Sequence, residues 1–355
     1  MSKKENMKKI IYEDCERIAE DIALEKCSGK SFLIAGASGF LGKWIVDLLM
    51  YLNARNLCEE KCKVIALCRN LEKARKVFSG YQKNENFKIL EQSVERPVGL
   101  MEKVDYIIHA ASAATTTSFT VNPVGILAAN VIGTYHLLEF ARINGVKGFL
   151  FLSSGAVYGD TPDYVDELRE DDFYRLDFNQ IGNCYSEAKR AGELLCRAYW
   201  EQYQVPAKSI RISHTYGPGI DIEDGRVFSD FVKNIIHNED LLIKGSGLDS
   251  RPFCYVSDAV SAFFKILFDG EPGETYNMAN SEQTVTISEL AELLTQHAFK
   301  ERDLEVRYLQ AKSEERNVHK IIVNTDKLNR LGWKPRISIV EGFRRTVTSL
   351  EEMER

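Results

Sequence analysis

The feature that most constrains the fold is a glycine-rich turn placed between an apolar strand and an apolar helix. Residues 31–35 read SFLIA, and Gly36, Gly39 and Gly42 follow at intervals of three. Gly36 permits a tight turn, Gly39 lets the backbone approach a pyrophosphate, and Gly42 lets helix and strand pack closely. The start of the helix offers free N–H groups and a partial positive charge. The spacing therefore predicts a dinucleotide-binding turn, which also includes Ser38, Phe40 and Leu41.

Short apolar strands alternate with helices after this turn. The further strands are predicted at KVIALC, FKILEQ, VDYIIHAA, GFLFLSS and AKSIRIS, with helices over residues 130–144 and 186–203 and, later in the chain, near 227–237 and 288–299. Such alternation is typical of a parallel sheet that is covered by helices on both faces. We therefore expect an α/β protein with a doubly wound Rossmann sheet.

The pattern also predicts how the chain is divided. Residues 9–25 suit an amphipathic helix, and we assign residues 1–28 to an N-terminal helical extension. Residues 29–216 form the predicted Rossmann domain. Loops rich in Gly, Pro and Asp follow Gly217, so most of residues 217–355 are expected to form a smaller α/β substrate-binding cap, interleaved with the Rossmann domain.

Charge and cysteine content exclude several classes of protein. The 355 residues include 46 basic and 52 acidic side chains, a net charge of −6, which disfavours nucleic acid as a partner. No apolar run reaches the roughly 18 to 20 residues of a membrane span, so no membrane association is expected. The eight cysteines are scattered, only Cys58 and Cys62 lie close together, and no second pair completes a zinc site. We expect reduced thiols in a cytoplasmic protein without a bound metal.

The end of the second strand bears on the choice of dinucleotide. An acidic residue there would bind the 2′-hydroxyl of NAD, but the strand ends Leu67-Cys68-Arg69-Asn70. Arg69 could pair with a 2′-phosphate, which favours NADP without excluding NAD. Alternatively, Arg69 stacks on adenine or is solvated.

A second constellation suits proton transfer. Tyr185 and Lys189 are four residues apart in YSEAK, so on a helix they share a face, and the ammonium can lower the pKa of the phenol. Ser153 and Ser154 end a predicted central strand, where a hydroxyl can hydrogen-bond a reacting oxygen. Asn130 is polar in an otherwise apolar helix, and it either anchors Lys189 through water or caps a turn.

The motifs GASGFLG, HAAS, NVIGTYHLLEFAR, SSGAVYG, YSEAK and RPFCYVSDAV occur in this order. Together they resemble the extended short-chain dehydrogenase/reductase family, and more narrowly its NAD-dependent epimerase/dehydratase group, over residues 30–350. The resemblance implies a bound nicotinamide cofactor, a nucleotide-diphosphate sugar as substrate, and a homodimer that pairs the helices at 130–144 and 186–203. It also implies a role in nucleotide-sugar metabolism for polysaccharide biosynthesis.

The resemblance assigns roles to individual residues. It implies Ser154, Tyr185 and Lys189 as catalytic residues. Tyr185 and Lys189 would also bind the cofactor, with Lys189 on its ribose, and Ser154 would also bind the substrate. The resemblance also implies that Asn130 and the HAAS residues Ala110, Ala111 and Ser112 bind the cofactor. Ser112 would bind the substrate as well. The segment HTYGPGIDIEDGRV is similar to the nucleotide-sugar segment of UDP-glucuronate decarboxylases and sugar dehydratases. The resemblance thus implies substrate-binding roles for His214, Gly225, Arg226, Val227 and Arg251, with Arg251 on a diphosphate or a uronate carboxylate.

Departures from the family pattern bear on the reaction. Dehydratases and decarboxylases of this family carry an acid just after the catalytic Thr or Ser, but here Gly155 and Ala156 follow Ser154. A further departure is Ser93, which stands where relatives commonly place an adenine-binding Asp. The missing acid counts against dehydration and decarboxylation. Of the two reactions that need only hydride transfer at sugar C4, we favour 4-epimerisation over NADPH-dependent reduction of a 4-keto sugar, which the missing acid of the second strand would fit.

Decarboxylation and 4,6-dehydration stay open if an acid reaches the site from elsewhere, such as Glu167, Glu170 or Asp171. Two readings from outside this group also remain: a protein that binds NADP(H) without catalysis, and a reductase of small alcohols or flavonols. The intact Ser154, Tyr185 and Lys189 argue against the first of these.

Overall fold

The chain folds around a single large parallel sheet. A computed structural model describes residues 3–112, 116–162, 164–309 and 321–354. The strands are β1 (Ser31–Ala35), β2 (Lys63–Cys68), β3 (Phe87–Glu91), β4 (Tyr106–His109), β5 (Gly148–Ser154), β6 (Glu167–Leu168), β7 (Ala207–Ile212), β8 (His214–Tyr216), β9 (Leu241–Ile243), β10 (Ser250–Tyr255), β11 (Thr275–Met278), β12 (Thr284–Thr286), β13 (Val306–Tyr308) and β14 (Ile322–Val323).

Helices cover both faces of this sheet. The α-helices are α1 (Lys3–Asp21), α2 (Leu24–Cys27), α3 (Phe40–Arg55), α4 (Leu71–Val77), α5 (Thr116–Val121), α6 (Pro123–Leu127), α7 (Gly133–Asn144), α8 (Cys184–Tyr203), α9 (Val227–His237), α10 (Val256–Asp269), α11 (Ile287–Glu292), α12 (Asp326–Asn329) and α13 (Ile339–Glu354). One π-helical turn, Ala128–Ile132, joins α6 to α7, and another, Leu293–Ala298, follows α11.

The main sheet has seven strands in the order β11-β7-β5-β4-β1-β2-β3. Every neighbouring pair is parallel, and all five residues of β1 are buried, because helices shield both faces of the central strands. The strand order reverses between β2 and β4 on either side of β1, which leaves a crevice at the carboxyl ends of these strands. The predicted α/β Rossmann class is confirmed.

The agreement is closest where an apolar run is uninterrupted. KVIALC and GFLFLSS coincide with β2 and β5, and the helix predicted near 227–237 coincides with α9. The helix predicted over 130–144 starts earlier, because Asn122 caps α6 and the π-helical turn carries the helix onward without a break.

The long helix formed by α6, the π-helical turn and α7 corrects the expectation that no apolar run is as long as a membrane span. The most apolar 18-residue window of Pro123–Asn144 has a mean hydropathy of 1.3, so this helix is long and apolar enough to cross a membrane by length and composition alone. In the fold it packs against α8 and the sheet, and 44% of its most apolar window is buried. Its apolar character fits a core helix that covers the sheet.

The C-terminal part of the chain contributes to two places. One is a smaller region that contains the sheet β12-β10-β8 and the pair β13-β9. The other is the main sheet itself, because β11 pairs with β7 and adds the edge strand. Helix α10 packs against β5 and β7, so residues after 255 cover part of the Rossmann sheet.

Helix α1 packs against three other helices, namely α3, α10 and α13. Its one fully buried carboxylate, Asp14, accepts a hydrogen bond from the Tyr255 hydroxyl at 2.7 Å and pairs with Arg345 at 3.0 Å. Burial raises the pKa of Asp14 to about 6, against the opposing charges of Arg345 and Arg17. The helix is therefore built into the core through polar as well as apolar contacts.

Candidate active site

The glycine-rich turn has a backbone that side chains would block. Gly36 has φ +76°, and a Cβ added there would lie 2.6 Å from the Ala111 Cα and 2.7 Å from the Ala110 oxygen. A Cβ on Gly42 would lie 2.4 Å from the Gly36 oxygen. Gly39 precedes the first turn of α3 and caps it without a side chain, which leaves the N–H groups of that turn to meet a ligand.

A groove of about 310 Å³ opens in front of this turn. Its lining combines the turn with the carboxyl ends of the neighbouring strands: Gly36, Ser38, Gly39, Cys68, Arg69, Asn70, Ser93, Ala110, Ala111 and Ser112. Phe40, Leu41 and Gly42 lie behind this surface; the first two pack partly buried against the core. A turn that only glycine can form, below a free helix N-terminus, fits a dinucleotide whose phosphates lie against α3.

Arg69 follows β2 and is exposed at the rim of the groove. Its neighbour Asn70 caps α4, where the Asn70 side chain accepts a hydrogen bond from the Lys73 N–H at 2.8 Å. Lys73 lines the groove as well, and so does Glu95 opposite. The rim thus presents two cations where the ribose 2′ position of a dinucleotide is held in Rossmann folds.

Tyr185, Lys189 and Ser154 come together at the carboxyl end of β5. Helix α8 presents Tyr185 and Lys189 on one face, and both side chains are buried. The Lys189 ammonium donates a hydrogen bond to the Leu152 carbonyl at 2.6 Å and lies 5.7 Å from the centre of the Tyr185 ring. Ile126 packs against Tyr185 and also lines the groove, so the phenol lies beside the groove.

The electrostatics of the pair differ in one respect from the sequence-based expectation. Burial raises the pKa of Tyr185, and a hydrogen bond from the Ser154 hydroxyl and the charge of Arg226 oppose this rise. Burial also lowers the pKa of Lys189 to about 7, against the charge of Glu193. Lys189 is expected from the sequence to lower the pKa of Tyr185; in the structure Ser154 and Arg226 do so, because the ammonium is directed at a backbone carbonyl.

Asn130 lies in the π-helical turn, and its side chain is fully buried. Its amide donates hydrogen bonds to the Ser112 hydroxyl and to the Ile126 carbonyl, both at 2.9 Å, while its Oδ1 has no partner among the described residues. Asn130 therefore holds the HAAS segment rather than contacting Lys189 directly. The neighbouring His109 is also buried, and burial together with the charge of Lys189 lowers the pKa of His109 to about 3.

Three of the predicted substrate residues, His214, Arg226 and Arg251, lie near one another. His214 in β8 is paired in register with Phe253 in β10, and Arg251 precedes Phe253 on the same strand. Burial, together with the charges of Arg251 and Arg226, lowers the pKa of His214 to about 3. The two guanidinium groups and the imidazole thus share one electropositive region.

The two arginines of this region are held differently. The Arg226 Nε donates to the buried Asp224 carboxylate at 2.7 Å, and the guanidinium lies 4.6 Å from the Phe228 ring centre. Arg251 is 40% exposed and donates to the Ser250 carbonyl at 2.7 Å, with Asp249 at 3.5 Å. Gly225 has φ +77° and is exposed, whereas Val227 begins α9 and packs against the core.

Two contacts of the site were not foreseen from the sequence. The Phe119 ring stacks on Tyr185 with ring centres 4.7 Å apart and an interplanar angle of 13°. On the other side of Lys189, Glu193 accepts a hydrogen bond from Ser153 and pairs with Arg211. The sequence signal that could have identified Glu193 is its spacing, because Tyr185, Lys189 and Glu193 follow one another at intervals of four residues.

The three acids that could replace the missing family acid have other partners. Glu167 contacts Asn324, the Glu170 carboxylate accepts a hydrogen bond from the Asn277 N–H at 2.9 Å, and Asp171 lines a separate cavity that also contains Glu193. Among the residues that the structure describes, no group of three or more His, Cys, Asp and Glu side chains could hold a metal ion.

Known proteins resemble this chain in sequence and in fold. The sequence profile of the NAD dependent epimerase/dehydratase family matches residues 32–279. UDP-glucuronic acid decarboxylase 6 of Arabidopsis thaliana is 31% identical over 318 residues, 89% of this chain and 87% of the relative. The dTDP-D-glucose 4,6-dehydratase of Mus musculus is 30% identical over 329 residues, 90% of this chain and 88% of the relative.

A solved structure gives the same result for the fold. The UDP-glucose 4-epimerase of Thermotoga maritima, crystallised with UDP-glucose, aligns with a TM-score of 0.74 and 25% identity, over 92% of this chain and 100% of that one. The profile match and the relatives show the family, and the solved structure has the same fold. The chain is an NAD(P)-binding enzyme and belongs to the NAD-dependent epimerase/dehydratase family.

Proposed function

We propose that the protein modifies a nucleotide-diphosphate sugar by hydride transfer at sugar C4, and that the net reaction is 4-epimerisation. The observation that carries the proposal is that Tyr185 packs against Ile126, which lines the dinucleotide groove, and also lies within range of the Arg226 charge. A ligand with a diphosphate on the arginines would reach the phenol with its sugar. The names of the relatives, UDP-sugar epimerases and decarboxylases among them, support this substrate class.

In this mechanism Tyr185 removes the proton from the 4-hydroxyl as C4 is oxidised and returns a proton when C4 is reduced. Ser154 holds the 4-oxygen and stabilises its developing charge through a hydrogen bond. Lys189 supplies positive charge beside the phenol. A bound nicotinamide cofactor would supply the acceptor and then the donor of the C4 hydride. The chain would hold this cofactor with the glycine turn, Ser38 and the HAAS segment.

The absence of an acid beside Ser154 supports epimerisation over dehydration. Gly155 and Ala156 occupy the two positions after Ser154, and Glu170 and Asp171 belong to the separate cavity. Elimination of water needs a group that protonates the leaving hydroxyl, and the described residues beside Ser154 offer none. Net reduction of a 4-keto sugar is the closest alternative, and the cations Arg69 and Lys73 support NADP as its cofactor.

Decarboxylation of a uronic acid is a second candidate. It is favoured by the 31% identity to a UDP-glucuronic acid decarboxylase and by two guanidinium groups that could bind a uronate carboxylate. Both candidates use Tyr185, Lys189 and Ser154 in the first step. They differ in whether carbon dioxide leaves.

A homodimer and a cytoplasmic location complete the proposal. The surface of α7 and α8 and of the turn before them exposes apolar side chains that a second copy could cover: Ile132, Tyr135, Ile143, Leu194 and Tyr203. All eight cysteines are unpaired and buried, which fits a reducing compartment. The net charge of −6 supports a small-molecule substrate over nucleic acid.

The test is product analysis on a panel of UDP-, dTDP-, CDP- and GDP-sugars. The cofactor is first released by denaturation and identified by mass spectrometry, and each product is then assigned by NMR. We expect a 4-epimer without net change of the cofactor. A pentose product with released carbon dioxide would replace epimerisation by decarboxylation. If no nucleotide or nucleotide sugar raises the melting temperature at high excess, the substrate class is wrong.

A further inference from the structure

Three consecutive residues at the end of β5 contact three residues that are one helical turn apart on α8. Ser154 hydrogen-bonds to Tyr185, the Leu152 carbonyl accepts from Lys189 at 2.6 Å, and the Ser153 hydroxyl donates to Glu193 at 2.5 Å. Two of the helix residues belong to the proposed chemistry. The third, Glu193, has no assigned role, although it lies on the same face of α8 as the other two.

The Glu193 carboxylate is fixed from a second side. Arg211 on β7 is paired in register with Ser153, and its guanidinium donates to both carboxylate oxygens, at 3.1 Å from Nε to Oε1 and 2.9 Å from Nη2 to Oε2. Arg211 also donates to the Glu170 carbonyl at 2.8 Å and lies over the Tyr158 ring. Because the side chains of Glu193 and Arg211 are only 11% and 12% exposed, solvent screens the carboxylate weakly.

The Glu193 charge acts on the ammonium of Lys189. Its side chain is buried, and the faces of two aromatic rings lie near the ammonium, Phe151 at 4.7 Å and Tyr185 at 5.7 Å from the ring centres. An ammonium in such surroundings loses its hydration, so a carboxylate one turn away decides how much of it stays protonated. The direction of the Glu193 effect on the pKa of Lys189 is upward, against burial.

The charged and titratable groups around Lys189 come from several elements. His109 on β4 is neutral near pH 7, since burial lowers its pKa to about 3. Cys196 on α8 is a buried thiol whose pKa is raised to about 12, and it is neutral there as well. The Tyr185 phenol adjoins Lys189 on α8, and Arg211 on β7 is neutralised by Glu193 itself. Within this group, Glu193 is thus the carboxylate whose charge acts on Lys189.

We propose that Glu193 is a positioning residue of the active site: it holds the end of β5 against α8 and keeps the Lys189 ammonium charged and in place beside Tyr185. The inference rests on the proposed function for its effect on turnover, but not for its effect on Lys189 itself. It therefore has one test without substrate and one with substrate.

The first test measures the titration of Lys189 in the purified full-length protein. The protein is labelled with [13C]lysine, and the 13Cε resonance of Lys189 is assigned by its loss in Lys189→Arg. In Glu193→Gln, which keeps an acceptor for Ser153 but removes the charge, we expect the titration of Lys189 to move to lower pH by about one pH unit. Glu201→Gln removes an exposed charge from the same helix and should leave the titration in place.

The second test is the pH profile of turnover. Activity that needs a charged Lys189 is lost as the pH rises through the pKa of that residue, so Glu193→Gln should move the descending limb of kcat to lower pH. At pH 8 we expect kcat to fall about tenfold, and at pH 6 by less than about threefold, with KM little changed. Glu193→Asp keeps the charge and should restore most of the descending limb.

The outcomes separate the two proposals. If Glu193→Gln lowers the melting temperature but moves neither the Lys189 titration nor the pH profile, the residue has only a structural role and the inference is overturned. If Glu193→Gln does not fold, the comparison is made with Glu193→Asp. This variant keeps the charge, so the Lys189 titration should stay near its original pH even if the melting temperature falls. A large shift of the titration would overturn the inference. If Lys189 titrates as expected but no nucleotide sugar is converted, the proposed function fails and the role of Glu193 stands.

Discussion

The cofactor side of the groove is shaped by backbone, whereas the substrate side is shaped by long side chains. At the glycine turn, Gly36 and Gly42 leave room that a single Cβ would fill, and the first turn of α3 offers N–H groups. Across Tyr185, the recognition groups are the guanidinium groups of Arg226 and Arg251, one paired with Asp224 and the other 40% exposed. Because of this difference, we expect substitutions that add atoms to weaken binding on the cofactor side. On the substrate side, we expect substitutions that remove side-chain atoms to weaken binding.

The largest effect is expected where the two sides meet. Tyr185→Phe removes the oxygen that we propose transfers the proton, and it should lower kcat by a factor on the order of 10³. The affinity for the dinucleotide should change by less than about threefold, since the groove is untouched. Steady-state kinetics and calorimetric titration measure the two values.

Tyr164→Phe serves as the control for this substitution, because Tyr164 is 82% exposed and lies outside the site. It should leave kcat and cofactor affinity unchanged. Near-normal turnover of Tyr185→Phe would mean that another group transfers the proton. Tyr185 would then not be the acid and base of the reaction.

The next effect tests the backbone-built side. Gly36→Ala places a Cβ 2.6 Å from the Ala111 Cα at a φ of +76°, so the turn and the HAAS segment must separate. We expect the dinucleotide to bind about 100-fold more weakly and the free energy of unfolding to fall by about 1–3 kcal/mol.

Gly80→Ala provides the matched control, since a Cβ there meets nothing within 4 Å. Fluorescence titration with the reduced cofactor gives the affinities, and thermal unfolding gives the stabilities. Equal affinities in the two variants would show that the turn is not the phosphate site.

A smaller effect is expected on the side built from side chains. Arg251→Ala removes one guanidinium from the electropositive region, and a charge-assisted hydrogen bond of about 1.5–3 kcal/mol corresponds to a KM raised about tenfold to a hundredfold. The melting temperature should hardly change, because the described partners of the Arg251 side chain are its chain neighbours Ser250 and Asp249. Arg330→Ala, a loss of an exposed arginine outside the site, should leave KM as it is. A fall in stability without a rise in KM would assign Arg251 to the loop alone.

The smallest effect concerns the rim of the cofactor side, where recognition again depends on side chains. Arg69→Asp replaces a cation with the acid that Rossmann folds use for the ribose 2′-hydroxyl. We expect the ratio of NADP to NAD affinity to fall by about tenfold, with the Lys73 cation retained. Should the unmodified protein already bind NAD more tightly than NADP, Arg69 does not act on a 2′-phosphate.

Sequence reasoning worked where structure depends on local patterns. The bounds of β2, β5 and α9 follow from uninterrupted apolar or amphipathic runs, and the glycine turn follows from a spacing with few other uses. Strand β11 was not predicted from the sequence. It is an edge strand that follows β7 by more than 60 residues in the chain, so its position depends on tertiary pairing. The π-helical turn at Asn130 has no sequence signature, since it is one extra residue in a run that reads as regular helix.

The electrostatics of the site were the least accessible from sequence. The spacing of Tyr185 and Lys189 predicts their common face, and the structure bears this out. It does not reveal that the Lys189 ammonium turns to the Leu152 carbonyl, or that Ser154 and Arg226 act on the phenol. Those contacts depend on side-chain directions at the junction of β5, α8 and the segment before α9.

Helix α1 has a consequence for how a ligand enters. It packs against α3, whose first turn lies at the glycine turn, and through Asp14 and Tyr255 it is bonded to the end of β10, the strand that carries Arg251. A hinge rotation that drew the two flanks of the crevice apart would have to break these buried bonds. Admission of a sugar nucleotide should therefore proceed by rearrangement of the loops around Gly225 and Asp249, and scanning calorimetry should record one cooperative endotherm rather than two.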